Sequence, residues 1–482
     1  MQDISWIDIS VIAVYLLLMI GVGIWFQRKI KNLDDYALAG KSLGYVVMIG
    51  TLVGAAIGAA STMGKAAKAY EMGIIFVTAG FGYIAGLIVF GLLSSRLRKL
   101  GIWTIPDALY KRYGSGINLA CGAAMFITVI ALFGGQIIGI GLIFTAVGKS
   151  LGLTYATSII LAGVIMIIYT VLGGLFAVAY TDLIQSIIML VSIGVIMPVL
   201  LLSGDGMATL VSNWQSTQAG TVGGVSPVYL VSIWIIDFCF CMVDPGLWQR
   251  ANAAKSGKVI KNSLFVTAGI YLYWSVIVVI LGILGISLLP QVASTYGSTD
   301  AVIPAMIVKF LPPGIVGLCL AGLMAVMMST ASVALLIAGT TVANDVIKAA
   351  RPQTSEKKLL LWAKIVIVTV GALGIVFALF MRGIFDILLL AFAVYISAVF
   401  VPSMAAFFWK QATRQGAIVS SIVSTIVCVA LYAIKQFIEI PWLEPIIISL
   451  AVSLILMWIV SKMTYKPEQA TPILVMKGGA ND

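Results

Sequence analysis

About thirteen times along this 482-residue chain an apolar run recurs at the length that crosses a hydrocarbon core as a helix, roughly twenty residues. That repetition constrains the fold more than any motif, because backbone amides in lipid must be satisfied within the segment itself. The runs are 7–27, 45–63, 73–94, 118–148, 155–172, 181–203, 226–250, 262–290, 303–343, 358–382, 386–409, 415–437 and 443–463. The expected class is therefore an all-α polytopic membrane protein. Hydrophobic residues make up 61% of the chain and charged residues 10%, too few charges to cover a soluble surface.

Several chemistries are excluded. The chain has no histidine, which removes His-ligated metals, Ser-His-Asp or Cys-His catalysis and histidine proton relays. Its five cysteines (Cys121, Cys239, Cys241, Cys319 and Cys428) fall in apolar runs with no CxxC pair, as buried free thiols do. Two Gly-Lys-Ser tripeptides, at 40–42 and 148–150, lack the earlier glycine of a phosphate loop, since Asp35 and Ile143 stand there. Pairs such as Gly82/Gly86 and Gly135/Gly139 have the spacing of close helix packing.

The formal charge of +11 is a topology signal. The first run carries Arg28 and Lys29 on its far side and is expected to be an uncleaved helix with the N-terminus outside. Alternating from there, 22 of the 29 basic residues fall on the cytoplasmic side, including Lys31, Arg250 and Lys477. Six fall outside: Lys65, Lys68, Lys149, Lys309, Arg382 and Lys435. The expected placement is the plasma membrane (the inner membrane of a bacterium), N-terminus out and C-terminus in. Membrane lipid is then the surrounding partner, with no nucleic acid and no obligatory protein partner.

Two spans look broken. The second contains Gly54-Ala-Ala-Ile-Gly58, small residues where backbone carbonyls can be freed, and the seventh contains Asp244-Pro245-Gly246. They stand five helices apart, as the first helices of two five-helix repeats would. Packing seams and a simple proline kink explain the same letters. The ninth span places Val326, Ser329 and Thr330 at i, i+3 and i+4, so one carbonyl and two hydroxyls share a face. Such oxygens can replace the water shell of sodium, although Ser and Thr also bond back to their own helix.

The motifs are recognisable in series. They are Asp35-Tyr-Ala-Leu-Ala-Gly-Lys-Ser-Leu-Gly44, Trp103-Thr-Ile-Pro-Asp-Ala-Leu-Tyr-Lys-Arg-Tyr-Gly114, the run from Tyr169 to Gln185, Met328-Ser-Thr-Ala-Ser332 with Asn344-Asp345, and the run from Phe408 to Ala417. In this order the chain resembles the sodium:solute symporter family from about residue 34 to 425. The resemblance implies a LeuT-like five-plus-five inverted repeat and Na+ as the coupling ion, with no organic cofactor. It divides the chain into residues 1–33 (a first helix and loop), a transporter core at 34–412 (repeats 34–205 and 226–412), two further helices at 413–464 and a tail at 465–482. It also implies a sodium site built from Gly54, Ile57, Val326, Ser329 and Thr330, and places Asp182 along the sodium path. Proline-transporting members carry an aspartate where this chain has Ala56, a departure that argues against a carboxylate-assisted site.

Sugar-binding members offer Gln, Glu, Asn and Lys at positions that align with Ser61, Gly80, Asp237 and Tyr271, so a sugar is not expected. Asp237 and Asp244, with Phe240, Gln136, Tyr83, Tyr271, Tyr273 and Trp274 around them, suit an ammonium- or amide-bearing solute of the urea, polyamine or choline type. Asp244 can equally cap its helix or pair with Arg250, and Asp237 can pair with Lys65 or Lys68. Those lysines keep an amino acid such as proline, or a monocarboxylate, as the alternative solute. The expected activity is sodium-coupled symport of a small-molecule solute by alternating access and not enzymatic; a proton-coupled symporter or a passive channel are the rivals.

Overall fold

The structure, a computed structural model, describes residues 4–27, 33–102, 104–114, 116–148, 152–202, 206–219, 225–348, 351, 353–381, 383–438 and 443–466. Trp103 and the charges Arg28, Lys29, Lys31, Lys149, Arg382 and Lys477, used above for motif and topology, lie outside the described residues.

Helices come in the order α1 (Trp6–Gln27), α2 (Leu33–Leu38), α3 (Tyr45–Ala56), α4 (Lys65–Met72), α5 (Phe81–Lys99), α6 (Ile105–Tyr113) and α7 (Ile117–Val147). Next are α8 (Tyr155–Leu202), α9 (Gly206–Ala219), α10 (Pro227–Val243), α11 (Pro245–Ala253), α12 (Gly257–Leu288), α13 (Val292–Tyr296) and α14 (Val302–Phe310). The last five are α15 (Ile315–Thr341), α16 (Glu356–Phe380), α17 (Ile384–Phe408), α18 (Arg414–Phe437) and α19 (Pro445–Thr464). Among the described residues no strand forms, and one parallel bridge joins Leu43, just before α3, to Ala254, just after α11.

Among the described residues eleven helices are long and apolar enough to cross a bilayer, or twelve when the bent pair 45–56 and 60–72 counts as one span. The expected thirteen counts α8 as two runs, 155–172 and 181–203; its 48 residues, about twice one bilayer crossing, hold both. The helix is interrupted at Gly174, whose φ of 54° and ψ of −174° lie outside helical space. A glycine adopts that conformation without the steric cost another residue would meet. The run 303–343 is also shorter than read: Pro312 and Pro313 separate α14 from α15, and the apolar span starts at Ile315.

Helix α15 is the hub. It packs against α1, α7, α8 and α16, and its apolar core is buried along the whole span. Small residues allow this approach: a Cβ on Gly322 would sit 2.0 Å from the Ser192 hydroxyl of α8. By contrast only 28% of the apolar windows of α1 and α18 is buried, which leaves their flanks for lipid. Gly82, read as a packing seam, is one: a Cβ there would lie 2.1 Å from the Trp234 carbonyl.

Helix α1 holds α15 by its end. The Asp8 carboxylate, 1% exposed, accepts hydrogen bonds from the Gly314 and Gly317 amides at 2.7 Å each. These are amides at the start of α15 that its own turns leave unpaired. Asp8→Ala strands two buried donors, and a loss of about 1–3 kcal/mol is expected. Thermal unfolding of the purified protein checks this, with Asp8→Asn falling between; an unchanged midpoint would show that α1 does not anchor α15.

Candidate functional site

Two breaks in the helical backbone build the site. α3 ends at Ile57, whose φ of −102° and ψ of 111° are extended, and the chain re-enters helix at residue 60 after a bend of 61°. α10 ends at Asp244 (φ −61°, ψ 114°), and Pro245 starts α11, where its missing N–H costs nothing. Each break frees backbone groups that find partners. The Asp244 carboxylate accepts from the Gly246 amide at 2.7 Å and caps α11. Gln136 of α7 accepts from the Ala59 amide at 2.7 Å, and Ser61 bonds both the amide and the carbonyl of Gly58.

The five expected sodium ligands meet at the first break. Ser329 donates to the Gly54 carbonyl at 2.8 Å and to the Val326 carbonyl at 2.9 Å. Thr330 donates to Gly54 and Ile57, each at 3.1 Å, and to Val326 at 3.4 Å. Three carbonyls and two hydroxyls thus converge from α3 and α15 in a buried position. A hard cation without a strong geometric demand suits that all-oxygen donor set. Gly54 is tightly enclosed here: a Cβ would lie 3.2 Å from both the Asp182 and Ser329 side chains, so these would have to give by a few tenths of an ångström.

Asp182 of α8 therefore borders the oxygen cluster. It is fully buried, accepts from the Thr51 hydroxyl at 2.6 Å and pairs with Arg250 at 3.2 Å, while its Oδ1 has no hydrogen-bond partner. Arg250 also donates to the Thr51 carbonyl and hydroxyl and to the Gly246 carbonyl. Of the two roles open to Asp244, the cap is the one observed, while Arg250 takes this longer-range pair; Arg250, counted as a cytoplasmic loop charge, is 0% exposed. Nearby, the hydroxyls of Tyr169 and Thr181 are in close contact on the same helix.

Next to the cluster opens a cavity of about 100 Å³, space for several waters. Ser61, Tyr83, Gln136, Asp237, Phe240, Asp244 and Tyr271, all read from the sequence, line it. Thr330 lines it too, so one residue belongs both to the oxygen cluster and to the cavity wall. The Tyr83 and Tyr271 rings stand 5.0 Å apart, and Phe240 stacks on Phe392 at 4.0 Å. Trp274 is not in the lining: it is buried in packing and donates to the Thr62 hydroxyl at 3.1 Å. Tyr273 is 52% exposed and points away.

Sequence reasoning missed the wall supplied by α17, where Phe385, Leu388, Leu389 and Phe392 close the cavity. Lys65, counted among the external charges and also weighed as a partner of Asp237, is 2% exposed and faces the cavity. One turn on, Lys68 pairs with Asp386 at 2.8 Å and Glu71 at 3.4 Å, tying α4 to α17 beside Phe385. The cavity thus lies between two charged ties, Lys68 with Asp386 and Arg250 with Asp182.

Residues 36–424 match the model of the sodium:solute symporter family. The chain belongs to that family. Relatives include the sodium/pantothenate symporter of Escherichia coli (strain K12), 26% identical across 96% of this chain and 98% of its own length. The sodium/proline symporter of Staphylococcus aureus (strain NCTC 8325 / PS 47) is 25% identical across 96% of this chain and 94% of its own. In structure, the chain superposes on a Na+-coupled sialic acid symporter, solved substrate-bound and outward-open, with a TM-score of 0.82. That likeness covers 97% of this chain and 99% of the other at 21% identity, and carries the fold alone. The architecture of this symporter-family chain is accordingly LeuT-like, and its relatives are transporters rather than enzymes.

Proposed function

We propose that the chain carries a small organic solute with an ammonium or amide group across the plasma membrane, coupled to sodium by alternating access. The observation that carries this reading is Thr330, which belongs both to the five-oxygen cluster and to the wall of the cavity. Sodium seated among Gly54, Ile57, Val326, Ser329 and Thr330 would accept their oxygens in place of the present hydroxyl-to-carbonyl bonds. It would hold the break of α3 against α15, and the same break shapes the cavity. An ion that fixes the cavity wall raises solute affinity, and the solute raises sodium affinity equally, because binding linkage is reciprocal.

Asp237 and the facing Tyr83 and Tyr271 supply a carboxylate and π-faces for the nitrogen end of the solute. Orientation follows from the basic residues, with the N-terminus outside, the C-terminus cytoplasmic and residues 34–412 as the transporting core. The sodium leaves along Asp182 when the Arg250 tie opens. Each sodium entering contributes roughly 2.3 kcal/mol per 100 mV, enough for tens-fold accumulation of solute.

Uptake into proteoliposomes tests the coupling. A sodium gradient directed inward should raise initial uptake of the transported solute at least about tenfold over equal sodium on both sides, and a proton gradient should not replace it. Uptake that follows the proton gradient, or that ignores sodium, would overturn the reading in favour of proton coupling or passive passage.

A further inference from the structure

Two opposite charges face the cavity without meeting. Lys65 enters from α4 and Asp237 from α10, and among the described residues no ion pair joins them. The Lys65 ammonium donates one hydrogen bond, to the Ser275 hydroxyl at 3.0 Å, and stands 5.2 Å over the Tyr271 ring. An ammonium has three donors, so two are left for the cavity. Asp237 accepts no hydrogen bond among the described residues, although the two charges attract across the gap. Holding a buried ammonium and a partly buried carboxylate on one cavity without contact is costly.

The ammonium is seated against Gly80 and Ser275. A Cβ on Gly80 would lie 2.9 Å from the Lys65 nitrogen and 3.0 Å from the Ser275 oxygen. The ammonium therefore occupies the space that a side chain at position 80 would fill. Where a residue at that position could offer its own polar group to a solute, this chain offers a cation from the opposite helix.

We propose that Lys65 is a specificity-determining residue that anchors a carboxylate of the solute, while Asp237 takes its ammonium or amide end. The class recognised is then a small molecule bearing both groups, and a cation with no carboxylate leaves the lysine unpaired. This rests on reading the cavity as the solute site. Discrimination is strong because an analogue lacking the carboxylate leaves a buried charged donor without a partner.

The test uses the full-length purified protein in detergent with sodium present. Binding is read by thermal shift and calorimetry for proline, pantothenate and short amino- and hydroxycarboxylates, each beside its carboxamide, with choline and glucose as compounds without a carboxylate. At least one carboxylate should bind, and its carboxamide about tenfold or more weaker. Lys65→Gln should erase that preference, lowering the carboxylate's affinity tenfold or more while its carboxamide changes little, and Lys65→Arg should keep it. A sodium-induced thermal shift in each variant shows that it is folded and that ion binding persists. Loss of the sodium shift in the wild-type protein would sink the coupling reading and leave the lysine assignment standing or falling on the carboxylate preference alone. The assignment is overturned if choline or glucose binds while no carboxylate does, if nothing in the panel binds, or if folded Lys65→Gln keeps the wild-type preference.

Discussion

Replacing Ser329 and Thr330 together by alanine should weaken sodium binding on the order of 100-fold or more. The pair supplies two of the five oxygens at the break, and both hydroxyls already reach the carbonyls of Gly54, Ile57 and Val326. A hydrogen-bonding group facing a charge contributes about 1.5–3 kcal/mol, and about 1.4 kcal/mol is tenfold in affinity. The fold should lose far less, because the bonds given up in the absence of an ion are neutral, about 0.5–1.5 kcal/mol each. Sodium titration of the thermal midpoint checks the affinity, and Thr330→Ser, which keeps its hydroxyl, should titrate close to the native protein. A double variant with native sodium half-saturation would remove this cluster as the ion site.

Arg250→Met should destabilise the protein by about 3–5 kcal/mol, the cost of leaving a buried carboxylate without its partner. The guanidinium and Asp182 are both 0% exposed, and Arg250 also bonds Thr51 and Gly246. Lysine does not substitute, because one ammonium cannot span those separate acceptors as a planar fork does. Removing both charges, as Arg250→Met with Asp182→Leu, should recover most of the loss, since neither ion then has to be desolvated. Thermal midpoints of the native, single and double forms should therefore rank native and double together above the single. A single variant as stable as the native protein would contradict the pair. If the folded double variant released sodium at the native rate, Asp182 would be removed from the proposed ion path.

The α15 half of the proposed sodium site was legible because its information is local, whereas Gly54 and Ile57 came as ligands from the family resemblance. Three residues at i, i+3 and i+4 share a helix face whatever surrounds them, and Gly54 through Gly58 signal a break by their lack of side chains. The direction of a side chain around a fully apolar helix is not local. α17 is apolar on every side, so periodicity offered no sign that Phe385, Leu388, Leu389 and Phe392 face a cavity. The same ambiguity let Trp274 be read as cavity wall when it is packing. For Asp244 the sequence leaves a helix cap and a pair with Arg250 both open; packing selects the cap, because Arg250 reaches an acid 68 residues away on α8.

The sequence by itself determined that the chain crosses the membrane many times, roughly where, and which small-residue and proline positions interrupt its helices. Each of those rests on transfer of a segment from water to lipid or on helix geometry, and neither needs a distant partner. Only the tertiary structure decided which charges meet. It set Asp182 against Arg250, tied Lys68 to Asp386, and left Lys65 and Asp237 facing one cavity without a bond between them. Buried charges take the partner that packing brings near, and in this fold that partner comes from another helix.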